Sequence, residues 1–158
     1  MSCDASSAAA VVSGAANVSL RALTLDHAGG NGIAVLDYAR EVSVIGCILR
    51  LVAEVAIVVQ GVTDGIDGTR GEQPRGTTFA GNLVRDLGIN ERQSSAFGEF
   101  KACLSTVERN VIFNIPRAAV NINDGFGGGT RIARNLLFNT CRESGDHGGP
   151  IALRHVIA

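Results

Sequence analysis

Arg109-Asn110-Val111-Ile112-Phe113-Asn114 and, 25 residues later, Arg134-Asn135-Leu136-Leu137-Phe138-Asn139 are one six-residue phrase with two aliphatic exchanges. Three weaker copies precede them: Arg21-Ala22-Leu23-Thr24-Leu25-Asp26, Gly46-Cys47-Ile48-Leu49-Arg50-Leu51 and Gly81-Asn82-Leu83-Val84-Arg85-Asp86. Taking Ala22, Cys47, Asn82, Asn110 and Asn135 as anchors gives steps of 25, 35, 28 and 25 residues. Self-similarity at such a period marks a solenoid, in which no single repeat can bury its own apolar face. Each anchor is followed by Leu, Ile or Val, and Val44, Phe79, Val107 and Ile132 lie three residues before the last four. These runs are too short for helices, rich in branched side chains and separated by Gly, Asn and Asp, so they read as strands between tight turns.

A leucine-rich repeat of similar period would keep Leu-x-x-Leu-x-Leu-x-x-Asn in every turn, and this chain does not. A right-handed, single-stranded parallel β-helix of about five turns needs only inward apolar positions and turn residues. Second strands are expected at 32–36, 55–59, 96–100 and 118–123, with Ile151-Ala152-Leu153 as the candidate for the last turn. The long step from Cys47 to Asn82 predicts a loop over Gly61–Gly76 pushed out at one corner. Equivalent residues of neighbouring turns stack about 4.8 Å apart, so Asn82, Asn110 and Asn135 are expected to form a hydrogen-bonded amide ladder in one corner. Leu23, Ile48, Leu83, Val111 and Leu136 are expected to form an interior column. Residues 1–16 read as an N-terminal extension or partial cap, and 17–158 as the solenoid, breaking off before its last turn closes.

Composition fits this architecture. Glycine is abundant at 20 residues and tryptophan absent, so burial rests on Val, Ile, Leu and Ala. A net charge of −1 with no charge runs gives no electrostatic footprint for nucleic acid. The richest apolar run, Val52 to Val59, holds Glu54 and falls far short of the about 20 residues a membrane helix needs; no signal peptide is visible at the start. Cys3, Cys47, Cys103 and Cys141 form no Cys-x-x-Cys pair and read as buried thiols rather than a metal or redox site; a disulfide stays open, with no partner proposed by the sequence.

Chemistry concentrates in the C-terminal half. Asn121-Ile122-Asn123-Asp124 ends a strand, and Arg142-Glu143-Ser144-Gly145-Asp146-His147 follows one turn later. Asp124 lies 14 residues after Asn110, and Asp146 lies 11 after Asn135. Stacked anchors would then carry the two carboxylates to similar points one turn apart. Asp124, Asp146 and His147 are the candidate catalytic groups, with Arg117, Asn121, Asn123, Arg142 and Glu143 binding substrate. Glu99 or Lys101 would join them from the turn before. Paired carboxylates suit glycoside hydrolysis; a basic group beside a uronate suits proton abstraction and elimination. No metal is assigned, since the spacing of Asp124, Glu143, Asp146 and His147 matches no known loop. Gly127-Gly128-Gly129 lacks the Lys-Ser or Lys-Thr of a phosphate loop and reads as a turn.

The run from Asn110 to Gly129, with Asn135-Leu136-Leu137-Phe138-Asn139 and Arg142-Glu143-Ser144-Gly145-Asp146-His147-Gly148, resembles the right-handed β-helix (pectin-lyase-like) proteins, and most closely large β-helix proteins of bacteria and unicellular algae. The resemblance covers about residues 80 to 150 and implies the fold. By analogy it implies an extracellular, carbohydrate-related domain: a polysaccharide lyase or glycosidase working in a lateral groove, or a non-catalytic binding module, or an inactive fragment of a larger enzyme. A polysaccharide is the expected partner, with neither nucleic acid nor membrane; the cofactor stays open.

Overall fold

A computed structural model describes residues 7–123 and 127–144. Its fifteen strands run β1 Ala8–Ser13, β2 Ser19–Arg21, β3 Thr24–Asp26, β4 Asn31–Leu36, β5 Ser43–Ile45, β6 Ile48–Arg50, β7 Ile57–Gln60, β8 Thr78–Ala80, β9 Leu83–Arg85, β10 Phe97–Phe100, β11 Thr106–Glu108, β12 Val111–Phe113, β13 Val120–Asn123, β14 Arg131–Ala133 and β15 Leu136–Phe138. Every third strand pairs in parallel, giving sheet 1 (β1-β4-β7-β10-β13), sheet 2 (β2-β5-β8-β11-β14) and sheet 3 (β3-β6-β9-β12-β15). The chain is therefore an all-β parallel solenoid of about five turns, three strands to a turn, with no helix among the described residues. Ala8–Ser13, assigned above to an extension, is the first strand of sheet 1 and pairs with β4.

The corners explain why so short a repeat can close. Ala22, Gly46, Gly81, Arg109 and Arg134 all have φ between 51° and 64°, and each turns the chain from sheet 2 into sheet 3. Five residues later, His27, Leu51, Asp86, Asn114 and Asn139 repeat the left-handed bend; five residues earlier, Asn17, Glu41, Gly76, Leu104 and Gly129 do the same. Glycine enters this region without a Cβ penalty, which suits Gly46 and Gly81. The other residues adopt it at a modest cost that the stacked pairing offsets.

The asparagine ladder is present. The Asn110 Oδ1 accepts the Asn82 backbone N–H at 2.9 Å and the Asn82 Nδ2 at 3.0 Å, and the Asn135 Oδ1 accepts the same pair from Asn110 at 2.9 and 3.0 Å. Each Nδ2 also donates to the carbonyl three residues before the previous anchor: Asn82 to Val44, Asn110 to Phe79 and Asn135 to Val107. Cys47 ends the ladder, giving its N–H to the Asn82 Oδ1 at 2.8 Å and pointing its Sγ at the Leu20 carbonyl.

Two readings of the sequence need correction. The first anchor is Leu23, not Ala22. The Ile48 N–H bonds the Leu23 carbonyl, as Leu83 bonds Cys47, Val111 bonds Asn82 and Leu136 bonds Asn110. Ala22 is instead the left-handed corner residue. The residues after the anchors also face outward, not inward: Thr24, Ile48, Leu83, Val111 and Leu136 stack in register on the outer side of sheet 3. Anchors occupy the interior, so strand alternation sends the next residue out and the following one in. The true interior column is Leu25, Leu49, Val84, Ile112 and Leu137. Both positions are aliphatic in the later turns, so hydrophobicity alone could not separate them. Three residues before the anchors, Val44, Phe79 and Val107 are fully buried as expected.

The loop over Gly61–Gly76 does leave the solenoid between β7 and β8. Gln73 Nε2 and the Val62 N–H tie its two ends to the Val62 and Glu72 carbonyls. Arg40 donates to the Gln73 and Gly71 carbonyls and packs on the Tyr38 ring. The 28-residue step reflects a second insertion, 86–96, between β9 and β10; its buried Ser94 and Ser95 bond the Glu91 and Phe97 carbonyls.

Candidate functional site

Five of the expected site residues fall among the described ones. Arg142 and Glu143 lie alongside Ile115–Arg117, through bonds from the Cys141, Arg142 and Glu143 N–H groups to the Arg117, Ile115 and Pro116 carbonyls. Arg117, just before β13, and Arg142 and Glu143, just after β15, therefore sit together on adjacent turns. The Glu143 carboxylate pairs with Arg92 at 3.0 Å, an exposed contact of small energetic weight. Asn121 and Asn123 lie on the outer side of sheet 1, in register with Gly98 and Phe100. Asp124, Asp146 and His147 lie outside the described residues.

Glu99 does not reach the surface. It faces the interior between Val59 and Ile122, only 2% exposed, and accepts a hydrogen bond from the Thr130 Oγ1. Strand parity forces this, because Phe97 two residues earlier is a core residue. Lys101 occupies a left-handed corner at the end of β10 and is half-buried. Among the described residues no three His, Cys, Asp or Glu side chains gather in a metal-binding group.

The outer sides of sheets 1 and 3 differ sharply. On sheet 1, Ala34 and Val58 are fully buried within a cluster that includes Val55, Leu36 and Phe100, and the Phe100 ring lies over Gly98. On sheet 3 the outward stripe is open: Ile48 is 38% exposed, Leu136 57% and Phe138 44%. Leu83, Val111 and Phe113 continue it half-buried. The Phe113 and Phe138 rings stack, with centroids 4.8 Å apart and planes within 7°.

Polar residues border the stripe on both sides. At the corner from sheet 2, Arg109 and Arg134 sit one turn apart, with Arg131 on β14. Glu108 pairs with Arg109 and Arg131. The hydrogen bond from Arg131, and then the charges of Arg109, Arg131 and Arg134, hold the Glu108 carboxyl below the usual carboxylate range. Three arginines around one glutamate leave this edge positive. At the opposite corner Asp86, Asn114 and Asn139 form a second ladder, Asn114 Nδ2 reaching the Asp86 Oδ1 at 2.8 Å and Asn139 Nδ2 the Asn114 Oδ1 at 2.5 Å. Nearer the N-terminus, Arg50 grips Asp26 and keeps its carboxyl below the usual range.

Sequence reasoning passed over this face, although a signal was available. The two best-matched repeats agree at Arg109 and Arg134, Phe113 and Phe138, and Asn114 and Asn139, all outside the interior column. Core packing does not require identity there. Comparison of the chain with family models, curated proteins and solved structures finds no match.

Proposed function

We propose that the protein is a carbohydrate-related β-solenoid that binds an acidic polysaccharide along the outer side of sheet 3. The observation that carries this reading is the open apolar stripe of Ile48, Leu83, Val111, Leu136 and the stacked Phe113 and Phe138, edged by arginines. A contiguous apolar strip rimmed by polar groups marks an interaction surface rather than a packing need. Sugar rings present C–H faces that settle on apolar side chains, with hydroxyls at their margins for the amides of Asn114 and Asn139. Carboxylates of a uronate would meet Arg109 and Arg134, the residue type best shaped for them. A repeating polymer also matches a surface that repeats every turn. The resemblance of residues 80 to 150 to pectin-lyase-like proteins supports the same ligand class.

Binding without turnover is the reading favoured over lyase or glycosidase activity, because the apolar stripe carries no acid–base pair. Titration with polygalacturonate, alginate and a neutral glucan tests it. The expected result is saturable, salt-sensitive binding of the acidic polymers, with no new reducing ends and no ultraviolet absorbance from an unsaturated uronate. Product formation would return the function to the Asp124, Asp146 and His147 group. Equal affinity for the neutral glucan would remove the role given to the arginines.

A further inference from the structure

The interior turns polar in two neighbouring columns at once. Behind sheet 1, Val12, Val35, Val59, Glu99 and Ile122 stack in register. At the entry to sheet 2, Val18, Val42, Thr77, Ser105 and Thr130 stack in the same way, the Val18, Val42, Thr77 and Ser105 carbonyls accepting the N–H groups of Ser43, Thr78, Thr106 and Arg131. Valine fills both columns in the first two turns, so packing alone asks for no polar atom there. The two columns meet where the Thr130 Oγ1 donates to Glu99, 2.8 Å from one carboxyl oxygen and 3.1 Å from the other. Local choices that run against the fold's own pattern are expected at functional positions.

The groups gathered there are short of partners. Glu99 is 2% exposed and Ser105 1%. Among the described residues no Arg, Lys or His pairs with the Glu99 carboxyl, Lys101 two residues on included. The Ser105 Oγ faces inward, by parity with the core residue Val107, in the column that also holds Thr130. It is buried with no hydrogen-bond partner among the described residues. A buried carboxylate with no counter-charge and a buried hydroxyl with no partner are both strongly unfavourable. A hard cation answers both, since carboxylate and hydroxyl oxygens are its ligands. Thr130, having given its proton to Glu99, keeps lone pairs for it. One carboxylate balances one positive charge; a divalent ion would leave a charge unmatched in the interior. We propose that Glu99, Ser105 and Thr130 hold a monovalent alkali cation inside the turn of β10, β11 and β12.

Thermal midpoints of the full chain in NaCl, KCl and choline chloride at equal ionic strength test this. General screening is the same in all three, and choline is too large for the interior. The expected result is a midpoint about 3 °C or more higher in NaCl or KCl than in choline chloride, rising with the concentration of the ion. The salt that gives the larger shift identifies the ion. Glu99→Gln keeps the size of the side chain and an acceptor for Thr130 but lacks the charge, so its midpoint should be the same in the three salts. Should that variant fail to fold, Ser105→Ala, with one ligand fewer, should need about tenfold more of the ion for the same shift. Line broadening in sodium or potassium magnetic resonance by wild type reports the bound ion directly. Equal wild-type midpoints in the three salts would overturn the proposal and assign the gap to a buried water. An ion dependence that Glu99→Gln retains would overturn it as well.

Discussion

The outer sides of sheets 1 and 3 are built from the same repeat, yet the middle of one is roofed by its own side chains and the other is left open. In sheet 1 the central strand Ile57-Val58-Val59 is fully buried on both faces. Phe100 folds back over Gly98, and Ala34 and Val58 lie beneath side chains of neighbouring turns. In sheet 3 the equivalent outward residues, Ile48 and Leu136, meet solvent. The insertions of the third turn both adjoin sheet 1, one leaving the end of β7 and the other preceding β10, while the bends flanking sheet 3 keep their five-residue spacing from the corner before it. An apolar outer face is therefore core on one side and a candidate contact surface on the other. Hydropathy cannot distinguish them; only the tertiary roof does.

Placing a charge on each face would expose the difference. Val58→Asp sets an unpaired carboxylate in a fully buried position and should destabilise by about 4 kcal/mol or more, or prevent folding. Leu136→Asp, outward on sheet 3, should change stability by less than about 1 kcal/mol. Denaturant midpoints of the two variants check this. Similar losses in both would mean that sheet 3 is covered too.

The ladder runs along the corner between sheets 2 and 3, and breaking it comes next in size. Asn110→Leu strands the Asn82 N–H, an Asn82 Nδ2–H and the Phe79 carbonyl in the interior. At roughly 1–3 kcal/mol for each unsatisfied group, a loss of about 3 kcal/mol or more is expected in chemical denaturation. Extending the ladder should act the other way. The Leu23 N–H has no acceptor among the described residues, and Cys47 supplies only a weak thiol donor to Leu20. Cys47→Asn should therefore raise stability by about 0.5–1.5 kcal/mol. A destabilised variant would show that the cysteine site cannot take an amide.

How far this was legible follows from the same residues. Asn82, Asn110 and Asn135 could be read as a ladder because an amide recurring at an inward position has few other uses. The Leu23 register slipped by one because Ala22 offered a small residue of the expected kind, while its left-handed conformation leaves no mark in composition. Glu99 was misplaced because a carboxylate is expected outside; strand parity and Thr130 hold it within. The apolar stripe of sheet 3 was read as interior for the reason that now makes it a candidate surface. Its chemistry is that of a core.

The smallest effect concerns acid. Asp26 and Glu108 have carboxyls held below their ordinary values of 3.8 and 4.5, first by hydrogen bonds from Arg50 and Arg131. A depressed folded pKa stabilises the native state above the unfolded value and loses that contribution as pH falls through the folded one. Glu108→Gln should therefore be slightly less stable than wild type at neutral pH and converge with it as the pH falls below the ordinary glutamate range. Thermal midpoints across that range check the sign, and a gap that widens on acidification would contradict it.

The most direct test of the account sets the two faces against each other in one binding titration. Wild type, Leu136→Asp on sheet 3 and Asn123→Ala on sheet 1 are titrated with polygalacturonate, each first shown to be folded. Asn123→Ala is expected to bind like wild type and Leu136→Asp at least about tenfold more weakly, since a carboxylate both removes apolar contact and repels the polymer. Loss of binding in Asn123→Ala with Leu136→Asp unaffected would contradict it and move the functional face to sheet 1.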